Sequence, residues 1–360
     1  MSCPKVSIVL PCYNVESYIN EVYKSITEST YENYEIIFVN DGSSDRTAEK
    51  IHNLQDKRVK IINKENGGVS SARNAGISAA VGKYILFVDP DDLIDRELIA
   101  KVVNKAESSE ADFVLFGYKR AAFDNPAHFD NILPKRIYEY STTEEVINGY
   151  MPSIIGISKE TISMWQQGGD LYWNKEWGAV WRALYRRDLI VDNNLEFDTS
   201  LFLNEDAMFN CHYLCCVQRM VTINECLYTY RVKSSGAMYS SLNSARLLKS
   251  KIALANAREK VCEHVYTVIH KDISNWYTGS LVLSIFELFI GLTNNQPLIS
   301  GYRQCKTYID RADVKKAVSD VSVGGRIKFA IPLVFIKAKC SAILYFLIHV
   351  MNRLGIKMSI

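Results

Sequence analysis

The 360-residue chain lacks any apolar run of the roughly 18–20 residues that a bilayer span requires. Its two late apolar stretches, Phe329–Ile336 and Cys340–Met351, are shorter and are separated by Lys337 and Lys339. Nine cysteines are present, yet none is spaced Cys-x-x-Cys. That spacing would have suggested a zinc ribbon or a redox pair; scattered thiols suggest a reducing compartment and small buried side chains. Cys211, His212, Cys215 and Cys216 lie close in sequence, but the pattern reads as one buried helix rather than a zinc site. The start, Met1-Ser2-Cys3-Pro4-Lys5, has no charged region followed by an apolar one, so a cytoplasmic location is expected. No Gly-x-Gly-x-x-Gly follows the first apolar run, which disfavours a nicotinamide-dependent dehydrogenase. The net charge of +2 and the absence of a recognition motif give no reason to expect a nucleic-acid partner. Acidic residues are also missing after Asp320. The tail therefore carries +6, from Arg326, Lys328, Lys337, Lys339, Arg353 and Lys357, which leaves about −4 on residues 1–320.

What is present begins with alternation. Strand patterns at Val6–Leu10, Glu35–Asn40, Val59–Asn63, Tyr84–Val88 and Phe113–Phe116 alternate with helix patterns at Ser17–Ser29, Thr47–Leu54, Val69–Ala80 and Leu98–Ser108. This order specifies an α/β fold, a mostly parallel sheet sandwiched by helices. Ser141-Thr142-Thr143-Glu144 has the form of a capping box opening a helix to Tyr150. Trp165–Trp181 reads more as an aromatic binding loop than as a helix, and Val221–Ile223 and Leu227–Val232 read as two strands. From Asn243 the pattern is helical, with breaks near Asn294–Pro297 and Gly324–Gly325. Two regions are expected: 1–235, divided into 1–118 and 119–235, and a helical extension, 236–360.

Sheets of this kind bind ligands at the carboxyl ends of their strands. Pro11-Cys12-Tyr13-Asn14, Asp41-Gly42-Ser43-Ser44-Asp45 and Asp89-Pro90-Asp91-Asp92 each follow a strand directly and so share one edge. Asp41 could accept a hydrogen bond from a base or ribose, and Tyr13 could stack on the base. Asn66–Asn74 opens a helix with glycines and hydroxyls, a plausible anion site, and Arg73 could meet a diphosphate. Three carboxylates within Asp89–Asp92 repel one another unless a cation intervenes. A magnesium or manganese ion that also binds phosphate would serve. The alternatives are ordinary ones: Tyr13 as packing, Asp41 as a turn former, Arg73 as partner to a surface carboxylate, Asp89–Asp92 as a solvated turn.

Ser7–Asn14, Glu35–Asp45, Asn66–Gly76 and Gly82–Asp92, in this order and spacing, resemble the family 2 inverting glycosyltransferases of the A fold. The resemblance covers residues 5 to about 118. It implies that Pro11, Tyr13, Asn14, Asp41, Arg73, Asp89 and Asp91 bind a UDP-sugar. Asp41 would read uracil, Tyr13 would stack on it, Asp89 would touch the ribose and Asp91 would hold the divalent metal, with Asp92 an alternative ligand. It further implies Asp206 as the general base and Glu205 as the catalytic residue beside it, there to ligate, to orient or to raise the pKa of Asp206; both could also simply cap the following helix. Where the family commonly carries Lys two residues after Trp181, this chain has Ala183, with Arg182 beside it. Trp165, Trp173 and Trp177 could stack on sugars or pack in a core. No Gln-x-x-Arg-Trp motif of processive synthases is present, so one sugar per encounter is expected. The implied partner is a saccharide, in particular one on a polyprenyl diphosphate, in surface polysaccharide synthesis. The cationic apolar tail fits peripheral binding to an anionic cytoplasmic membrane face, or else packs internally. A catalytically silent nucleotide-sugar scaffold stays open as the alternative.

Overall fold

The computed structural model describes residues 4–122, 125–232, 244–325 and 327–353. In chain order it forms β1 (Val6–Cys12), α1 (Ile19–Thr27), β2 (Tyr34–Asp41), α2 (Thr47–His52), β3 (Val59–Lys64), α3 (Gly68–Ala79), β4 (Tyr84–Phe87), β5 (Leu93–Ile94) and α4 (Leu98–Ser109). Then follow β6 (Phe113–Ala122), β7 (Asn125–Ile132), β8 (Glu139–Tyr140), α5 (Thr143–Gly149), α6 (Met151–Ile154), α7 (Lys159–Gln166), β9 (Ala183–Arg186), α8 (Arg187–Asp192), α9 (Glu205–Leu214) and β10 (Met220–Val232). The rest is helical: α10 (Ser244–Ile269), α11 (Thr278–Asn295), α12 (Leu298–Ile309), α13 (Ala312–Asp320), α14 (Ile327–Lys337) and α15 (Ser341–Arg353).

The chain divides into two compact units. The first, Met1–Met151 with Glu176–Ala237, holds one mixed sheet in the order β3-β2-β1-β4-β9-β6-β10-β5, with β7 on β6 and β8 on β10. The β1–β4 part is parallel, as are β6 and β10. Every residue of β1 and β2 is buried, which is why these strands read as unbroken apolar runs without alternation. Helix α3 lies close on β1 because Gly76 has no side chain; a Cβ there would stand 2.3 Å from Val9 Cγ1. That close approach matters because α3 also carries Arg73.

The second unit, Pro152–Lys175 with Met238–Ile360, is helical. Its core is α11, whose Leu281, Val282, Ile285, Phe286, Phe289 and Leu292 are buried. Phe286 meets Phe329 of α14 at 5.0 Å and Phe289 meets Tyr345 of α15 at 5.5 Å.

Several expectations shift. The segment 152–175, expected within the first region, belongs to the helical unit. The Gln166 amide donates to the Ser322 carbonyl at 3.0 Å, and Trp165 packs on Phe329 at 5.3 Å. Trp165 accordingly sits on α7 and not in a loop. The capping box is one residue later, with Thr142 Oγ1 accepting from Glu145 N at 3.2 Å. The two late strands are one, β10, with register shifts between Ile223 and Tyr228. Arg326 and Lys357 of the basic tail, and the expected division at 235, lie outside the described residues.

Candidate active site

All of the expected site residues lie in the first unit. Pro11 is buried within β1 opposite Val39, and the ring of Tyr13 after it is 52% exposed. Asn14 takes a left-handed conformation (φ 51°) and stitches two loops together. Its Oδ1 accepts from Ser44 N at 2.8 Å, and its N donates to Ser43 Oγ at 3.1 Å. Gly42 turns with φ 70°, where a Cβ would stand 2.8 Å from Asn66 N.

Asp41 has a different occupation from the one expected. It is 3% exposed, and its carboxylate accepts from Gly67 N at 3.0 Å, Gly68 N at 2.8 Å and the Lys64 ammonium. The free N–H groups anticipated at the start of α3 are therefore partly taken by the protein's own anion, which the helix dipole favours there. Asp41 fixes the Gly67-Gly68 wall of the cleft and presents no open carboxylate to a base in this arrangement.

Asp89–Asp92 is a β-turn, with Asp92 N donating to the Asp89 carbonyl at 3.1 Å and Pro90 at the second position, where its fixed φ suits the turn. Asp92, proposed from sequence as an alternative metal ligand, points inward. It is 1% exposed, and its two oxygens accept from Tyr228 Oη at 2.9 Å and Arg231 N at 2.8 Å. Burial, with the charges of Asp89 and Asp91 added, pushes its carboxyl well above the usual range. Asp92 thus ties the turn to β10 and leaves the metal set. Asp89 and Asp91 remain partly exposed. Tyr228 Oη also accepts from Asp89 N at 3.1 Å, and Arg231 Nε donates to the Asp91 carbonyl. Tyr228 and Arg231 were missed in the sequence. Their strand pattern was legible, but the antiparallel pairing of β10 with β5 that brings them to this turn was not.

Arg73 joins the two halves of the site. Its guanidinium donates to Asp89 Oδ1 at 3.0 Å and to Asp206 Oδ1 at 2.6 Å, and lies 3.6 Å from Glu205 Oε1. The residue is 3% exposed, and its Nε is buried without a partner. A surface partner is excluded; the guanidinium sits among three carboxylates. Asn74 beside it clamps Phe197, donating to its carbonyl at 2.9 Å and accepting from its N at 2.8 Å.

Asn204, with φ 62°, precedes α9 and sends Glu205 and Asp206 into the first turn. The second oxygen of Asp206 accepts from Val180 N at 3.2 Å. Burial raises the pKa of Asp206; Arg73 opposes this, Asp89 adds to it, and hydrogen bonds from Val180 N and Glu205 lower it again. Glu205 is pushed up to about 7, first by burial and then by the charge of Asp206, against the pull of Arg73. The pair therefore titrates together: Glu205 keeps its proton to near neutrality, and burial also pushes up the carboxyl of Asp206 beside it.

Hard oxygen donors at Asp89 and Asp91 suit magnesium or manganese. Among the described residues no group of three His, Cys, Asp or Glu side chains could hold a metal alone. An ion that uses one or two carboxylates and completes its shell with phosphate fits such a set.

The comparisons with known proteins bear on the family and the fold. The model for glycosyl transferase family 2 matches residues 7–161. This chain carries a family 2 glycosyl transferase domain. It is 34% identical over 230 residues to the uncharacterized glycosyltransferase EpsJ of Bacillus subtilis, covering 63% of this chain and 61% of EpsJ. It is 29% identical over 253 residues to the minor teichoic acid biosynthesis protein GgaB of the same organism, covering 68% of this chain and 24% of GgaB. Among solved structures, Staphylococcus aureus TarS 1–349 in complex with UDP-GlcNAc superposes with a TM-score of 0.60, at 18% identity, over 98% of this chain and 92% of that one. The A-type fold is therefore common to both.

The pKa of Glu205 yields a stability signature. A carboxyl that holds its proton to about 7 in the folded chain, against 4.5 ordinarily, stabilises the fold at low pH and loses that contribution as pH rises across this window. The melting temperature of the wild type relative to Glu205→Gln should fall between pH 4.5 and 7. A difference that stays flat over that range contradicts the assignment.

Proposed function

We propose that this chain is a metal-dependent inverting glycosyltransferase that moves one sugar from a UDP-sugar to an acceptor hydroxyl. The observation that carries this reading is the bridge from Asp89 through Arg73 to Asp206, which holds both carboxylates on one buried cation. Tyr13, Asn14 and Pro11 would line the base and ribose, with Asp41 holding the opposite wall. Asp91, with Asp89 beside it, would hold the divalent ion, whose bound charge offsets that of the diphosphate. In the reaction Asp206 takes the proton of the acceptor hydroxyl while that oxygen bonds to the anomeric carbon. The bond from this carbon to the phosphate oxygen breaks, and UDP leaves with the electron pair from the opposite face. Arg73, already between Asp89 and Asp206, can follow the charge as the diphosphate arrives.

The likeness to GgaB supports a saccharide acceptor in cell-surface polymer synthesis, and our reading places that acceptor on a polyprenyl diphosphate at the cytoplasmic membrane face. No described helix is long and apolar enough to cross a membrane. On α14, Leu333 and Ile336 are buried while Ile331 and Val334 are exposed. On α15, Leu344, Tyr345 and Ile348 are buried while Ile343, Phe346, Leu347 and Val350 are exposed, at spacing that forms one outward stripe. The exposed Lys337, Lys339 and Arg353 are its charged neighbours, and no acidic residue follows Asp320. An apolar stripe with cations alone fits an anionic lipid surface.

Two measurements test these readings. UDP with manganese should raise the melting temperature, and a chelator should cancel the gain; at a hundredfold excess over Kd the stabilisation is about 2.7 kcal/mol. Asp91→Ala should remove the manganese dependence. Asp206→Asn should keep the UDP response and lose transfer by about 100-fold or more. Full transfer in Asp206→Asn would refute the base, and a manganese effect that survives Asp91→Ala would refute that ligand.

For the surface, the full chain should sediment with phosphatidylglycerol vesicles and not with phosphatidylcholine vesicles. Replacing Ile343, Phe346, Leu347 and Val350 with Ser should release it. Binding that is equal on both vesicles, or unaffected by the substitutions, would contradict the lipid face.

A further inference from the structure

The aromatic residues of the acceptor half differ sharply in exposure. Trp181 is 2% exposed and lies parallel to Tyr228, with centroids 4.5 Å apart and planes at 12°, and to Tyr230 at 5.6 Å and 11°. Trp177 is 41% exposed, although three rings meet it at an angle: Tyr230 at 4.9 Å, Trp181 at 5.4 Å and Tyr118 at 5.9 Å. These contacts fix the indole and leave a large part of it uncovered. An apolar ring that is rigid and open to water is an unfavourable arrangement that a ligand would relieve.

The backbone around Trp177 is equally fixed. Its carbonyl accepts from Arg182 Nη1 at 3.2 Å, and that guanidinium also pairs with Glu176 at 2.8 Å. The Gly178 carbonyl accepts from the Asn210 amide at 2.9 Å. Two residues further on, Val180 N donates to Asp206 Oδ2. One short segment thus delivers both the open indole and the N–H that tethers the base. Three residues of chain cannot span more than about 11 Å, roughly two pyranose widths. Tyr230, against which Trp177 packs, directly precedes Arg231, whose N donates to Asp92 Oδ1 at 2.8 Å in the Asp89–Asp92 turn.

We propose that Trp177 is the platform on which the acceptor pyranose stacks its C–H face while its hydroxyl is presented to Asp206. The inference rests on the reading of Asp206 as the base and adds the acceptor subsite to it. Of the other two tryptophans named from sequence, Trp165 is buried on α7, and Trp173 is exposed and lies in the helical unit. Arg182, which stands beside the position where Lys is common, acts here from below. Its buried pair with Glu176 holds the segment that carries the platform.

The test uses the full chain with UDP and magnesium, and methyl glycosides of glucose, galactose, mannose and N-acetylglucosamine as probes. Saturation-transfer NMR should show one face of at least one pyranose in contact with the wild-type protein. Trp177→Ala should weaken that signal about tenfold, and Trp177→Tyr should restore most of it, while the melting shift with UDP stays the same in all three. Equal signals in the wild type and Trp177→Ala, or none in a wild type that responds to UDP, would overturn the platform. A failure of the base assignment would look different: UDP release from UDP-sugars would survive Asp206→Asn whatever the glycoside signals show.

Discussion

Much of the site depends on how one buried guanidinium is neutralised. Arg73 lies among Asp89, Asp206 and Glu205 with almost no contact with water. A charge so placed is costly to bury alone and costly to leave if its partners are removed. The fold meets that constraint from several directions: α3 packs on β1 through Gly76 to bring Arg73 in, the turn after β4 brings Asp89, and the left-handed Asn204 starts α9 so that Asp206 arrives. Three carboxylates around one cation leave a net negative charge, which Glu205 reduces by retaining its proton. In the function proposed, the same surplus would be offset by a divalent ion.

The polar groups that surround this centre are largely occupied by the protein itself. Asp41 takes the N–H groups of Gly67 and Gly68, Asp92 takes Tyr228 and Arg231, and Val180 N takes Asp206. Such self-satisfaction orients the side chains that remain. Tyr13 and Trp177 stay exposed.

The parallel half of the fold and its edge of polar loops were legible in the sequence, because buried parallel strands leave unbroken apolar runs and the motifs follow them directly. The roles within the motifs were less so. Asp91 and Asp92 are adjacent and chemically identical; only the pairing of β10 with β5 turns one of them inward. Arg73 was identifiable as a fixed cation, but its partners Glu205 and Asp206 lie more than 130 residues away, and nothing local indicates that contact. The segment 152–175 was assigned to the wrong unit because its ties to Ser280 and Ser322 are equally distant. Trp177 and Trp181 look alike in sequence, and exposure alone separates them.

The central claim is that Arg73 couples energetically to the proposed base. A double-mutant cycle on Arg73→Met and Asp206→Asn, read as unfolding free energies of the ligand-free protein, tests it directly. The account predicts that the two substitutions together cost less than the sum of the single ones, with a coupling of about 1 kcal/mol or more, as groups in contact show. Additivity within about 0.5 kcal/mol would mean that the bridge carries no interaction, and the site would have to be built on something else.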